Sequence, residues 1–114
     1  MKSSYINRAR QIIGKINYAT IATASKEGRP WNSPVAQVHD KELNIYWFSD
    51  KEGQHSRNVR ENDRVFIVIY DSTVPEGQGE GVYIEAKAYE VTDPDEITYA
   101  RRIQIPLEEL KQES

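Results

Sequence analysis

The stretch SDKEGQHSRNVREND, residues 49–63, groups polar donors at a point where a short helix is expected to begin. His55, Ser56 and Arg57 place an imidazole, a hydroxyl and a guanidinium in successive positions. A helix N-terminus adds free backbone N–H groups and the positive end of the helix dipole. This combination of donors is suited to bind a phosphate group.

A purely structural interpretation of the same stretch is also open. Ser49 or Asp50 would then cap a solvated helix, and Arg57 would pair with Glu61, four residues further along the chain. Spacing alone does not decide between an anion site and a solvated helix.

The aromatic sequence that precedes this stretch favours a ligand. In IYWF, residues 45–48, strand alternation puts Tyr46 and Phe48 on one side and Ile45 and Trp47 on the other. A flat apolar wall that ends at an anion site fits a ligand with a ring at one end and a phosphate at the other. Ordinary core packing of these aromatic side chains is the alternative.

Other kinds of site have no support in the sequence. His39 and His55 lack a carboxylate at metal-ligand spacing on a shared helix face, so no metal site is expected. The glycine-rich residues 77–81 precede a strand rather than a helix, which favours a hairpin loop over a phosphate loop. Serines such as Ser33 have no nucleophile-elbow context. No side chain stands out as a general acid or base.

Composition limits the class of protein further. The chain has 114 residues, no cysteine and a net charge of −3. This length predicts one domain over residues 1–114, and the acidic balance disfavours nucleic-acid binding. No segment has the apolar length of a membrane span, and the first residues lack the apolar core of a signal peptide. We therefore expect a cytoplasmic protein with neither a nucleic-acid nor a membrane partner.

The residues described above must be positioned by a mainly β chain. Apolar periodicity predicts a helix over 4–16, capped by Ser4, and another over 53–61. DPDE, residues 93–96, predicts the start of a further helix, and a helical piece is expected from Pro106 through Leu110. Alternating or continuous apolar runs predict strands at 19–24, 31–38, 43–49, 65–70 and 82–91. In the last of these strands, Tyr83, Tyr89 and Val91 are expected on the face opposite the core, where a second chain would cover them.

Tight turns between the first three strands predict an antiparallel meander. Pro34 has no backbone N–H, so the second strand is expected at a sheet edge or interrupted by a ligand. An open sheet of these strands would leave exposed edges, which favours closure into a small barrel.

Segments covering residues 5–100 resemble one known family. INYATIATASKEGRPWNSPVAQV, LNIYWFSD, QHSRNVRENDRVFIVIYDS and GEGVYIEAKAYEV are similar to the pyridoxamine 5′-phosphate oxidase-like family of FMN-binding split barrels, in the same order and at similar spacing. The resemblance implies a mainly β fold, a six-stranded antiparallel split β-barrel with Greek-key-like connections and short peripheral α-helices. It also implies a homodimer with FMN in a groove between the two chains.

The resemblance implies a role for each matching segment. The second-strand segment contacts the flavin ring largely through backbone groups. Pro34 would lie where contacts with the flavin replace hydrogen bonds to a neighbouring strand. The end of the third strand meets the ring and the ribityl chain, and the next segment holds the phosphate. The loop before the last strand reaches the ring from the partner chain. The matching positions are Asn32, Ser33, Pro34 and Val35; Trp47, Phe48 and Ser49; His55, Ser56 and Arg57; and Gln78 and Gly81.

The function implied by this resemblance is that of an FMN-dependent oxidoreductase. Hydride would reach the flavin from a reduced nicotinamide or a small organic substrate. The same fold could instead hold a deazaflavin or haem, or serve as a non-catalytic sensor or storage protein. A cofactor-free dimeric interaction domain is a further alternative.

Two departures from the family pattern affect these expectations. His55 stands nearest the place where the family usually has lysine, so phosphate affinity is expected to depend on pH. Family members that oxidise pyridoxamine phosphate use arginine and histidine from a longer C-terminal part, and nothing before Ser114 matches it. That specific activity is therefore not expected.

Overall fold

The computed structural model describes residues 2–104, with the side chains of Lys2, Ser3 and Gln104 left out. In chain order the elements are α1 (Lys2–Lys15), β1 (Tyr18–Ala24), β2 (Pro30–His39), β3 (Ile45–Trp47), α2 (Gln54–Glu61), β4 (Arg64–Tyr70), β5 (Gly81–Lys87) and α3 (Pro94–Gln104). The first helix begins at Lys2, so Ser4 lies inside it and is not its cap. The predicted helical piece from Pro106 through Leu110 lies outside the described residues.

The strands form one antiparallel sheet in the order β3-β2-β1-β4-β5, which curls into a half-barrel. The predicted mainly β split-barrel class is confirmed, as is the meander of the first three strands. Within residues 2–104 there are five strands rather than the six that the resemblance implies. No helix in this range is long and apolar enough to cross a membrane.

Two strands are shorter than the sequence pattern predicts. The last strand ends at Lys87, not at Val91, because its partner β4 begins at Arg64, which pairs with Lys87. The N–H of Ala88 still donates to the Asp63 carbonyl at 2.8 Å, and the chain then leaves the sheet. Strand β3 covers only residues 45–47: it begins opposite His39, the last residue of β2, and it ends opposite Gln37 although β2 extends back to Pro30.

One face of the sheet carries the core. Strand alternation directs every second side chain towards α1 and the barrel interior, where burial of apolar surface drives folding. The buried apolar cluster consists of Ile12, Ile13, Ala19, Ile21, Val35, Val65, Ile67, Ile69 and Ala88. Half-buried Trp47, Val59 and Ile84 pack against it from β3, α2 and β5.

A buried polar contact attaches α2 to this sheet. Asn58 is only 2% exposed, and its side-chain amide donates to Thr23 Oγ1 on β1 at 3.0 Å. Its carbonyl oxygen accepts from Gln54 Nε2 at 2.8 Å. Because both polar ends of the side chain are satisfied, burial of Asn58 stabilises one position of the helix on the strand.

We expect Asn58→Ala to lower the free energy of unfolding by about 2 kcal/mol, since it leaves the Thr23 hydroxyl and the Gln54 amide without their partner. Urea unfolding followed by circular dichroism measures the effect. Asn7→Ala, at an exposed position of α1, is the matched control and should change stability by no more than about 0.5 kcal/mol. Equal effects of the two substitutions would contradict a docking role for Asn58.

Candidate cofactor-binding site

The start of α2 has free backbone donors. Gly53 is the N-cap, in extended conformation (φ −63°, ψ 152°), and no side chain caps the helix. The first helical bond runs from the Arg57 N–H to the Gly53 carbonyl at 3.0 Å. The N–H groups of the first helical turn, before Arg57, are therefore not used by the helix itself. The capping role that a purely structural interpretation gave to Ser49 or Asp50 is wrong, because the Asp50 carboxylate accepts the Glu52 N–H instead, at 2.9 Å.

His55 and Arg57 both lie at this helix start. The His55 ring folds back over Gly53, and its Nε2 atom is buried with no hydrogen-bond partner in the described part of the chain. Arg57 is exposed and donates to Gln54 Oε1 at 3.0 Å. It does not pair with Glu61, whose carboxylate accepts the Lys26 N–H at 3.1 Å. Arg57 therefore keeps an uncompensated positive charge.

These groups fit a terminal phosphate. Buried polar atoms are normally hydrogen-bonded, so a partner for the His55 nitrogen would be supplied by a group outside the described residues once the ring moves. Phosphate oxygens accept hydrogen bonds from donors of the types present here. These are the free N–H groups of the helix, the guanidinium of Arg57 and the hydroxyl of half-buried Ser56.

An aromatic wall and a cavity adjoin this site. The cavity has a volume of about 610 Å³ and is enclosed by β3, α2, β4, β5 and α3. Trp47, Phe48, Ser49 and Ser56 are among its lining residues. Phe48 is 41% exposed, and the guanidinium carbon of Arg101 lies 5.4 Å from its ring centroid.

A free strand edge lies in β2. Strand β3 pairs only with residues 37–39 of β2, so among the described residues 2–104 nothing pairs with residues 30–36 on that side. The Gln37 N–H donates to the Asn17 carbonyl at 2.8 Å, which makes this a hydrogen-bonded pair. Because hydrogen-bonded and non-hydrogen-bonded pairs alternate, Pro34, opposite Thr20, occupies a non-hydrogen-bonded position and its nitrogen faces the free edge.

The same alternation separates the predicted positions in β2 into two groups. Asn32 and Pro34 present backbone groups to the free edge. Ser33 and Val35 direct their backbone groups to β1 and their side chains inward, where the Ser33 hydroxyl accepts Trp31 Nε1–H at 2.8 Å. A ligand at this edge would therefore contact Asn32 and Pro34 rather than the side chains of the other two.

Gln78 and Gly81 lie elsewhere in the chain. Gly81 pairs with Tyr70 at the opposite edge of the sheet, and strands β1 and β4 lie between it and β2. At about 4.8 Å per strand this separation is roughly 14 Å. One chain does not bring these two residues to the rest of the predicted site, which leaves the partner chain as their predicted source.

Sequence reasoning missed the contacts that hold α3 over the cavity. The Tyr46 hydroxyl donates to Glu96 Oε2 at 3.0 Å, and the Tyr99 hydroxyl donates to Asp40 Oδ2 at 3.1 Å. The two tyrosine rings meet edge to face, with centroids 6.2 Å apart. These pairs span 50 and 59 residues of sequence, so no local motif could have indicated them.

Burial and hydrogen bonding shift the acidity of this cluster. Burial, followed by the hydrogen bond to Glu96, raises the pKa of Tyr46 to about 12. Burial alone would raise the pKa of Asp40, but hydrogen bonds from Asn44, Tyr99 and the Glu42 N–H outweigh it and lower this pKa. Asp40 is therefore ionised at neutral pH and accepts bonds from both the β2–β3 turn and α3.

Between residues 2 and 104, no cluster of three or more His, Cys, Asp or Glu side chains could hold a metal ion.

The curled half-barrel defines a split-barrel protein. The chain belongs to the pyridoxamine 5′-phosphate oxidase family, whose model matches residues 7–112. None of the curated proteins matches the sequence significantly.

Solved structures share the fold. HutZ, the heme storage protein from Vibrio cholerae, is 19% identical with a TM-score of 0.71, and the match covers 85% of this chain and 68% of HutZ. A heme binding protein from Mycobacterium smegmatis is 27% identical (TM-score 0.73), with 83% of this chain and 39% of that one covered. A candidate 5-nitroimidazole antibiotic resistance protein from Bacteroides thetaiotaomicron is 20% identical (TM-score 0.74), with 85% of this chain and 62% of that one covered. The chain thus spans only part of these longer proteins.

We expect Asp40→Asn to destabilise the fold by about 1 kcal/mol at pH 7. The amide nitrogen of the new asparagine is a donor, and it would face the N–H and O–H groups that now donate to the carboxylate. The lowered pKa of Asp40 means that the carboxylate contributes stability above about pH 4 and loses it as pH falls further. The difference from wild type in urea unfolding should therefore shrink between pH 7 and pH 3. Asp63→Asn, at an exposed position, should show no such difference at either pH.

Proposed function

We propose that this protein is an FMN-binding flavoprotein that oxidises or reduces a small molecule. The uncapped start of α2, with the unpartnered nitrogen of His55, carries the proposal because it offers one phosphate site within a chain of this family. When bound, the flavin would supply hydride chemistry that no side chain of the protein provides.

The protein's own residues would bind and orient the cofactor. Arg57 and the N–H groups of the first turn of α2 would hold the phosphate, with the imidazole of His55 beside them. Phe48 and Trp47 would contact the apolar ring system, while the free edge at Asn32 and Pro34 offers backbone groups to its polar atoms. No residue of the site is positioned as an obvious general acid or base, which is consistent with chemistry centred on the cofactor.

Haem binding is the second candidate function. It is supported by the two structurally similar proteins described as heme storage and heme binding proteins. The chain has two histidines, His39 and His55, and the unpartnered imidazole nitrogen of His55 is the kind of atom that ligates haem iron. The absorbance spectrum of the purified protein distinguishes flavin from haem directly.

A second copy of the chain would complete the site. The outer face of the sheet is apolar where β1, β4 and β5 adjoin, with Phe66, Val68, Tyr70 and Tyr83 exposed or half-buried. Tyr89 and Val91, which the sequence pattern had placed on this face, lie beyond β5 and line the cavity instead. Dimerisation through the outer face would cover this apolar surface and could bring in Gln78 and Gly81 of the second chain.

We expect the protein to be a homodimer at micromolar concentration, and light scattering coupled to size exclusion measures its mass. Phe66→Glu places a charge in the outer face without touching the core and should shift the mass towards that of a monomer. Glu85→Lys, an exposed neighbour on β5, is the control for a changed charge on the same face. A monomeric wild type, with and without FMN, would contradict the proposal.

FMN should bind much more tightly than FAD. The helix start offers donors for one terminal phosphate monoester, and FAD carries a diphosphate esterified to adenosine. Titration of both cofactors, followed by flavin fluorescence and thermal stability, tests this expectation. Unchanged fluorescence and unchanged thermal stability with FMN would rule out the flavoprotein proposal.

Arg57→Glu should weaken FMN binding far more than it weakens the fold. A charge-assisted bond to phosphate contributes on the order of 1.5–3 kcal/mol, so the loss of affinity is about tenfold or more. Arg29→Glu, on the exposed β1–β2 turn, is the matched charge reversal and should have little effect.

Riboflavin, which lacks the phosphate, separates the role of Arg57 from a general effect. It should bind wild type and Arg57→Glu with similar affinity. A substitution that weakens riboflavin and FMN equally, or neither of them, would show that Arg57 only solvates the helix.

A further inference from the structure

The cavity beneath α3 is a second place in the fold that can hold a ligand. Its volume of about 610 Å³ falls within the range of small-molecule sites. Its interior is apolar and is formed by side chains from α2, β4, β5 and α3. These side chains are Val59, Val65, Ile67, Ile84, Ala86, Ile97 and Ala100.

The lining of the cavity is positively charged, although the chain as a whole carries a net charge of −3. Four cationic side chains line it against two carboxylates. The cations are Lys51, Arg60, Lys87 and Arg101, and the carboxylates are Glu90 and Glu96. Glu96 already accepts a hydrogen bond from Tyr46, so one of its carboxylate oxygens is engaged within the protein.

The cations at the rim lack carboxylate partners. In the described range, ion pairs within 4.0 Å occur at Arg8–Glu80 and Lys15–Asp71, neither of which involves the cavity. Arg60 donates to the Lys51 carbonyl at 2.8 Å, which holds these two residues on the same side of the opening. Arg101 lies over the Phe48 ring, 5.4 Å from its centroid.

We propose that this cavity binds an amphiphilic monocarboxylate, with its apolar body between the sheet and α3 and its carboxylate at the rim beside Arg101 and Arg60. Burial of the ligand's apolar body accounts for affinity, and the uncompensated guanidinium groups select an anion over a neutral molecule of the same shape. The cavity shares Trp47, Phe48, Ser49 and Ser56 with the proposed cofactor site. The inference nevertheless goes beyond the proposed flavin function, because it needs neither the free edge of β2 nor the phosphate donors His55 and Arg57.

Octanoate and 1-octanol are suitable probes, since they differ in charge while sharing an apolar chain. Calorimetric titration of the 114-residue chain without FMN should show saturable binding of one octanoate per chain, and about tenfold weaker binding of 1-octanol. Equal affinity for the two probes would overturn the role of the basic rim. No saturable octanoate binding would overturn the proposal.

Two neighbouring arginines of α3 provide a matched comparison. Arg101→Gln should weaken octanoate binding about tenfold, whereas Arg102→Gln, whose side chain does not line the cavity, should leave it unchanged. Equal weakening by both substitutions would show a general charge effect and refute the assignment. Ala86→Leu, which fills the cavity from β5, should reduce octanoate affinity about tenfold or more while thermal unfolding stays cooperative.

Competition with FMN separates this inference from the proposed function. Octanoate should bind with and without saturating FMN, because its apolar chain would lie between α3 and strands β4 and β5 rather than against Trp47 and Phe48. Displacement of octanoate by FMN would show that the cavity is part of the cofactor site and would overturn the separate assignment. Octanoate binding in a protein that fails to bind FMN would leave the cavity proposal intact while ruling out the flavoprotein proposal.

Discussion

The position of α2 depends on the buried hydrogen bond between Asn58 and Thr23. Asn58 is the most enclosed polar side chain of the described core, and its amide can be satisfied only when the helix lies against β1 in one register. That register directs the N-terminal turn, with His55 and Arg57, towards solvent near the end of β3. The donor cluster is therefore positioned by a contact one helical turn away that takes no part in binding.

The length of β3 is the second constraint on the site. Because Asp40 closes a tight turn, accepting the N–H groups of Glu42 and Asn44 through Oδ1, the chain returns to pair with only the last residues of β2. The rest of β2 keeps an unpaired edge, which in a soluble protein requires protection or a partner. Pro34 at that edge removes one donor, and a planar ligand or a second chain would cover the remaining groups.

Asp40 also links this turn to the cavity. Its second carboxylate oxygen accepts the Tyr99 hydroxyl, so one buried side chain connects the β2–β3 turn with α3. The edge-to-face contact of Tyr46 and Tyr99, of the kind worth about 0.5–1.5 kcal/mol, adds to this attachment. The helix is thereby held above the open side of the half-barrel, where it becomes one wall of the cavity and carries Arg101 to its rim.

The proposed phosphate site and the basic cavity rim adjoin on α2, and Ser56 belongs to both. Arg60 lines the cavity, whereas His55 and Arg57 do not. Positive charge is thus concentrated at this end of the molecule, although the chain is acidic overall. Such a local field favours anionic ligands at both places and raises their rate of encounter at low ionic strength.

Much of the fold could be read from local pattern. Periodicity identified every strand, α2 and the start of α3 to within a few residues, because burial of one face imposes alternation on a strand whatever its neighbours are. The strand end at Lys87 was not predictable, since it is set by where the pairing partner β4 begins. Tyr89 and Val91 were misplaced on the outer face for the same reason.

In the candidate site too, some features follow from the sequence and others only from the tertiary structure. The sequence by itself determined the chemical character of the site, because donors such as His55, Ser56 and Arg57 are consecutive and their types can be read directly. Only the tertiary structure decided which groups are free: the uncapped start of α2, the unpartnered nitrogen of His55, and the separation of Gly81 from β2 by two strands. The cavity and the contacts of Asp40 with Tyr99 also depend on residues far apart in sequence. Such relations arise from strand order and packing, which local spacing does not encode.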